Sequence, residues 1–237
     1  MQKTTISLGF DCMSSIHSTT KKWKKTRAEG YNTCVFDLML SNYSGVIAAI
    51  REDFKGLTNP ENLILKKIYN GEDWIFNTKY RFFFNHESNS REVLIEYPRD
   101  DPFFYIKNNY EKFIERYERR IQNFRNYLNG EWFIDFVMNF PIYEVPELIE
   151  TIREVYPNLK FRIVLLNMSL AKFYIDIIRE MGFREDEKEY ILAKENKVIR
   201  GYYGLPHHYI NINVSKHNII PATDEERAQL FGDPMPL

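Results

Sequence analysis

Residues 108–195 alternate between helical and strand patterns, and this alternation constrains the fold more than any other part of the chain. Segment 108–130 repeats apolar residues every three or four positions, which is typical of an amphipathic helix. Apolar runs and further helical patterns then follow in turn, at 132–140, 145–156, 161–167, 169–182 and 189–195. Continuously apolar strands that are joined through short helices indicate a parallel sheet covered on both faces.

The amino-terminal stretch adds a strand and two helices to this pattern. Residues 4–9 predict a strand that ends at Gly9. Asp11 is suited to be the N-cap of a helix at about 11–19, because its side chain can accept hydrogen bonds from the first backbone N–H groups. Apolar residues on one face predict another helix at 42–54.

These patterns together predict an α/β fold with a doubly wound, mainly parallel sheet of the Rossmann-like kind. A chain of 237 residues is long enough for one domain with a sizeable core, and we assign residues 1–237 to it. Residues 55–107 contain short strand-like segments, so we expect them to form an insertion or cap. The tail after residue 200 is expected to be rich in loops.

Charge and cysteine content exclude several classes of protein. The formal net charge of -1 argues against nucleic-acid binding, which needs a surplus of cations. We expect the basic run KKWKK at 21–25 to be a solvated segment. Cys12 and Cys34 make neither a metal-type spacing nor a disulfide framework. The expectation is a cytoplasmic protein without a tightly bound cofactor and without a membrane span or signal peptide; its need for a divalent metal and its oligomeric state stay open.

The turn SLGFDC at 7–12 follows the first predicted strand and is a candidate binding site. Ligands of open α/β sheets bind at the carboxyl ends of the strands, where Gly9, Phe10 and Asp11 would meet them. The first N–H groups of the following helix could bind a phosphate or another anion there. The alternative is a plain turn between a strand and a helix.

Cys12 has two interpretations. In the first turn of a helix, backbone N–H groups and the helix dipole favour a thiolate, so Cys12 could be a nucleophile. It would then need a histidine partner, for which His86, His207 and His208 are the candidates. Otherwise Cys12 is a small buried residue beside a strand.

Asp37 and two arginines complete the set of candidate groups. Asp37 lies between apolar residues and is either a base or hydroxyl-binding group, or a structural hydrogen-bond partner. Arg119 and Arg120 lie on the long predicted helix. They either belong to a solvated face or bind phosphate in bidentate geometry.

Four short motifs occur in order within residues 5–170. They are SLGFDC at 7–12, VFDLMLS at 35–41, HES at 86–88 and RRIQNF at 119–124. With these motifs the chain resembles a family of bacteria and large DNA viruses that is labelled as papain-like cysteine peptidases. The resemblance implies Cys12 as nucleophile, His86 as base and Asp37 as a possible orienter of the histidine. For a viral member it implies the host cytoplasm as location.

Three functions follow from these observations. The predicted α/β sheet favours a glycosyltransferase that moves a sugar from a sugar nucleotide to the hydroxyl of a glycan acceptor. The turn after the first strand and the two arginines would bind the donor, and Asp37 or His86 would be the base. The first alternative is a cysteine peptidase or hydrolase that uses Cys12 and His86. The second alternative is a glycan-binding domain without catalytic activity.

Overall fold

A computed structural model describes residues 2–68, 71–87, 101, 103–139, 145–166, 209–213 and 218–221. Its main helices and strands are, in chain order, β1 (Gln2–Ser7), α1 (Met13–Thr20), α2 (Tyr43–Arg51), β2 (Leu63–Lys67), β3 (Asp73–Asn77), β4 (Phe82–Phe84), α3 (Lys107–Leu128), β5 (Trp132–Asn139), α4 (Val145–Val155), β6 (Lys160–Leu166), β7 (Tyr209–Asn213) and β8 (Asn218–Pro221). The predicted helices and apolar strands within these ranges are confirmed, with small shifts at their ends.

The larger sheet combines parallel and antiparallel strands, in the order β1-β5-β6-β7-β8. β5 pairs in parallel with β1 and β6, whereas β7 pairs antiparallel with both β6 and β8. An α/β fold is therefore confirmed, but the sheet is mixed rather than mainly parallel. The tail after residue 200, which the sequence predicts to be rich in loops, contains β7 and β8. The doubly wound arrangement stays a prediction, because segments 169–182 and 189–195 lie outside the described residues.

Segment 55–107, where the sequence predicts an insertion or cap, contains a second sheet. Its strands β2, β3 and β4 are antiparallel and adjacent in that order. A β-bridge between Leu40 and Phe83 links this sheet to the chain that precedes α2. Trp74 of β3 and Ile134 of β5 belong to one continuous hydrophobic core, so the two sheets share their interior.

The apolar stripe of α3 shows how the helical periodicity sets the packing. Phe113, Tyr117 and Phe124 on this stripe are fully buried, as predicted. The ring centre of Phe124 lies 5.7 Å from that of Phe36 and 6.4 Å from that of Phe136, which are aromatic contact distances. The helix therefore packs against both β5 and the segment that precedes α2.

Two further properties concern the described part of the chain only. None of its helices is long and apolar enough to cross a membrane. None of its His, Cys, Asp and Glu side chains form a group of three that could hold a metal ion.

Candidate functional site

β1 is followed by a tight turn that leads into α1. Gly9 in this turn has a φ of +94°, a conformation that residues with a side chain rarely adopt. Ser41 Oγ occupies the space that a Cβ at position 9 would need. The peptide bond between Gly9 and Phe10 is cis. Glycine is required here because the turn and the segment around Ser41 approach each other closely.

Five hydrogen bonds hold this turn in place. They run from Gly9 N to Ser7 Oγ (3.1 Å), from Ser14 Oγ to Gly9 O (2.9 Å), from Phe10 N to Tyr43 Oη (3.1 Å), from Ser41 N to Phe10 O (2.8 Å) and from Met13 N to Asp11 Oδ1 (3.0 Å). The backbone on both sides of Cys12 is therefore fixed, which pre-positions the side chain that follows the turn.

Cys12 is the N-cap residue of α1. The helix begins at Met13, so the N-cap position lies one residue after the predicted Asp11, and the Cys12 side chain makes no capping hydrogen bond there. The predicted acceptor role of Asp11 is confirmed, because its Oδ1 accepts the N–H of Met13 at 3.0 Å. The backbone N–H groups in the first turn of an α-helix have no partner within the helix, and the positive end of the helix dipole lies at the same end. Cys12 is 6% exposed, so its thiol lies just beneath the surface at this helix end.

Segment 40–41 connects the turn with β4. The Ser41 N–H donates to Phe10 O at 2.8 Å. Leu40 exchanges two backbone hydrogen bonds with Phe83, at 2.8 and 3.0 Å. Phe10 lies two positions before Cys12, and Phe83 lies three positions before His86. The segment therefore places the chain around Cys12 and the chain around His86 on its two sides.

His86 is one of the three histidines that could serve Cys12, and it is buried directly after β4. His207 and His208 lie outside the described residues. His17 is on the buried side of α1, with its ring edge-on to Trp23 at 5.0 Å. Of the three candidates, His86 is thus the one that lies within the described residues, and its role as base stays a prediction.

Asp37 is a buried structural acceptor. Its Oδ1 accepts a hydrogen bond from Lys24 Nζ at 2.9 Å. Its Oδ2 accepts from the Tyr31 hydroxyl at 2.9 Å and from the Cys34 N–H at 2.7 Å. None of the hydrogen bonds that Asp37 makes within the described residues goes to His86, so these contacts do not support the role of orienter that the resemblance implies.

Lys24 ties this carboxylate to α1. Its ammonium also donates to Ser15 Oγ at 2.6 Å and lies 4.3 Å from the centre of the Tyr31 ring. Lys24 is 6% exposed, so the prediction that the KKWKK run is solvated is wrong for its fourth residue. Its burial is possible because Asp37 supplies the counter-charge.

Glu87, the neighbour of His86, is the centre of a second buried network. Its Oε1 accepts from Arg116 Nε at 2.8 Å and from Arg120 Nη1 at 3.0 Å, and its Oε2 accepts from the Tyr117 hydroxyl at 3.2 Å. Both arginines are at least nine-tenths buried. The network therefore fixes the chain next to His86 onto α3.

Arg119 and Arg120 do not form a joint phosphate site. Arg119 is exposed, whereas Arg120 is buried and bound to Glu87. Adjacent residues of a helix point in directions about 100° apart, which separates the two guanidinium groups. The prediction that the pair binds a diphosphate therefore does not fit the structure.

Cys34 differs from Cys12 in its surroundings. It is fully buried, and burial together with the negative charge of Asp37 raises the pKa of the Cys34 thiol well above its ordinary range. A thiol with a raised pKa is protonated at neutral pH and is a weak nucleophile. Of the two cysteines, Cys12 is therefore the candidate nucleophile.

Both buried networks were missed by sequence reasoning. Arg116 and Arg120 are one turn apart and flank Tyr117 in the apolar stripe of α3, so the periodicity could have predicted their burial. Nothing in the sequence around Lys24 distinguishes it from the other lysines of its run. Glu87 pairs with two arginines that lie 29 and 33 positions further along the chain. A pairing over such distances leaves no pattern in the local sequence either.

Comparisons with known proteins gave one match, to a protein-family model. The model matches residues 3–171, well over half of the chain, and this range includes all four motifs of the predicted site. A search of curated proteins and a search of solved structures found no match.

Among the functional hypotheses, the family match favours the cysteine peptidase. The family is described as a cysteine peptidase, in agreement with the alternative hypothesis and with the resemblance seen in the motifs. The prediction of a glycosyltransferase is therefore wrong, and a sugar-nucleotide donor and a glycan acceptor have no support. Because the match extends over residues 3–171, the chain belongs to the family described as "Putative papain-like cysteine peptidase".

Proposed function

We propose that this protein is a cysteine peptidase in which Cys12 is the nucleophile and His86 is the base. The observation that carries the proposal is the position of Cys12 as N-cap of α1, directly after a turn that is hydrogen-bonded on both sides. The helix dipole and first-turn N–H groups stabilise a thiolate at such a position. The description of the family supports the same class of reaction.

The reaction would proceed through a thioester. The Cys12 thiolate adds to the carbonyl carbon of a peptide bond, and the C–N bond breaks as protonated His86 gives its proton to the leaving amine. A water molecule then transfers a proton to His86 and adds to the thioester carbon. Cleavage of the C–S bond releases the new carboxylic acid, which loses its proton to the solvent, and leaves the Cys12 thiolate and the protonated histidine as at the start.

The two buried networks would act as supports for this pair. Lys24 and Asp37 attach α1, which begins next to Cys12, to the segment that follows it. Glu87 attaches the chain beside His86 to α3. Nucleophile and base would thus be held by separate ion pairs before a substrate binds, which lowers the entropic cost of the reaction.

A comparison of two cysteine variants tests the proposal. Wild type, Cys12→Ala and Cys34→Ala are incubated with a peptide mixture of diverse sequence under reducing conditions, and cleavage is followed by mass spectrometry. We expect Cys12→Ala to reduce the cleavage rate by at least about 10³-fold, and His86→Ala to have a similar effect. Cys34→Ala, checked for folding by circular dichroism, should stay within a few-fold of wild type.

Two results would overturn the proposal. One is cleavage by Cys12→Ala at the rate of wild type. The other is a wild-type protein that cleaves no peptide and whose Cys12 is not labelled faster by an alkylating reagent than the same cysteine in the unfolded chain.

A further inference from the structure

A cavity of about 630 Å³ lies at the other end of α1 from Cys12. Its lining includes Lys3 near the start of β1, Trp132 at the start of β5 and Thr20 at the end of α1. Cys12 follows the carboxyl end of β1, so the cavity and the candidate site occupy opposite edges of the parallel strands. A volume of this size is typical of binding sites for small ligands and short segments of larger ones.

Aromatic rings form one wall of the cavity. The Tyr127 ring stacks on Tyr31 at 5.6 Å between centres and meets the edge of Trp132 at 5.4 Å. The Tyr127 hydroxyl accepts the Asn32 N–H at 3.1 Å, which fixes the ring further. Tyr31 and Tyr127 are buried, whereas Trp132 is partly exposed, so the Trp132 ring is the part of this wall that a planar side chain can contact.

Positive charge predominates around this wall. Four lysines line the cavity against a single carboxylate, Glu29. Lys3 and Lys24 already pair with carboxylates. Lys22 and Lys25 are exposed. Hydrogen bonds from Thr26 lower the pKa of the Glu29 carboxyl group, and both lysines lie close enough for their charges to lower it further. One carboxylate stands against these two exposed ammonium groups, so the lining keeps a positive excess that favours an anionic ligand.

An exposed face of α1 joins the cavity to Cys12. Met13 is 38% exposed and Ile16 is 40% exposed, and Thr20 continues the same face into the cavity lining. A helix of eight residues is about 12 Å long, which corresponds to roughly three or four residues of an extended chain. Exposed apolar side chains of this kind mark interaction surfaces when they adjoin a site.

We propose that the cavity binds an acidic segment of the polypeptide substrate that also carries an aromatic residue. The proposal rests on the peptidase function proposed above. Carboxylates of the segment pair with Lys22 and Lys25, and its aromatic ring packs against the partly exposed Trp132. The intervening chain runs along the exposed face of α1, so the acidic segment lies about four residues from the bond that is cleaved at Cys12.

Peptide binding to the Cys12→Ala variant tests the cavity separately from the chemistry. The probe is a fluorescein-labelled hexapeptide with two glutamates and a tyrosine followed by three alanines, and its control has lysines in place of the glutamates. Fluorescence anisotropy gives the dissociation constants. We expect the acidic peptide to bind more tightly and its affinity to fall with added salt. The double change Lys22→Glu, Lys25→Glu should weaken binding at least about ten-fold, whereas Lys67→Glu, on exposed β2, should leave it unchanged.

The outcomes separate this inference from the proposed function. Equal affinity for the acidic and the basic peptide, or equal effects of the cavity and β2 variants, would overturn the inference whatever the peptidase assay shows. Charge-dependent binding at the cavity without cleavage by wild type would support a peptide site and count against the peptidase. Cleavage by wild type with no preference for acidic segments would support the peptidase and count against a cavity that binds acidic segments.

Discussion

Asp37 and Glu87 are two buried carboxylates in one core, and they differ in the partners that neutralise them. Asp37 meets one cation, Lys24, together with two uncharged donors. Glu87 meets two cations, Arg116 and Arg120, together with one uncharged donor. Among the described residues, Asp37 thus pairs with one cation and Glu87 with two.

The two clusters also differ in how far apart their members are along the chain. Lys24 lies 13 positions from Asp37, whereas the arginines lie 29 and 33 positions from Glu87. The Asp37 cluster therefore organises a local segment around α1. The Glu87 cluster joins parts of the chain that are otherwise separate, so its loss should affect the whole fold more strongly.

The largest effect is expected for Glu87→Gln, which tests the dominant cluster. This change removes the carboxylate that Arg116 and Arg120 share in the core, which should lower the free energy of unfolding by about 3–5 kcal/mol. Glu115→Gln on the same helix breaks an exposed pair with Lys112 and should cost less than about 0.5 kcal/mol. Urea unfolding measures both values. Similar losses of unfolding free energy in the two variants would contradict the larger contribution expected of the buried cluster.

A smaller loss, of about 2–3 kcal/mol, is expected for Lys24→Met. The carboxylate of Asp37 then lacks its cation but keeps its hydrogen bonds from Tyr31 and Cys34. Adding Asp37→Asn to this variant should recover about 1 kcal/mol, because a neutral amide replaces the unpaired charge. Thermal unfolding checks this, with Lys25→Met as the exposed control. Strictly additive losses in the double variant would contradict the coupling.

The smallest effect concerns the Cys34 thiol beside Asp37. Its pKa is raised in the folded protein, whereas in the unfolded chain it is about 8.5. As pH rises above about 8.5, the unfolded state loses this proton first, so the free energy of unfolding falls by up to about 1.4 kcal/mol per pH unit. Below that pH the contribution of the Cys34 thiol to the free energy of unfolding is fully present. In urea unfolding, the free energy of unfolding of Cys34→Ala should fall less steeply between pH 8 and pH 9.5 than that of wild type. The same slope in both proteins would contradict this role of the Cys34 thiol.

The existence of regular elements with a strong apolar period could be predicted from the sequence, and their ends less closely. Segment 108–130 is observed within Lys107–Leu128, because its apolar side chains recur on one face and need one buried surface. Residues 108–110 have positive φ values, so the regular right-handed helix begins only after them. The strands of the tail could not be predicted in this way. Segment 209–213 alternates polar and apolar residues over a short length, and its pairing with β6 depends on a strand more than 40 positions earlier.

The candidate site was predictable only in part, for a related reason. Gly9 and Cys12 follow a strand and begin a helix, and this order of elements is local. Asp37 could be singled out as a carboxylate among apolar residues, but its partners could not. Whether it faces a histidine or a lysine depends on how α1 and the next segment fold against each other.

The helices and apolar strands of the described residues, the turn at Gly9 and the motifs by which the family is recognised could be predicted from local sequence. Which partner each buried charge meets follows from the folded arrangement alone. A lone charge in the core costs several kcal/mol, and this cost is offset only where a counter-charge from another part of the chain arrives in hydrogen-bonding geometry. For this reason Lys24 among its lysine neighbours, and Arg120 beside exposed Arg119, acquire their roles from the fold.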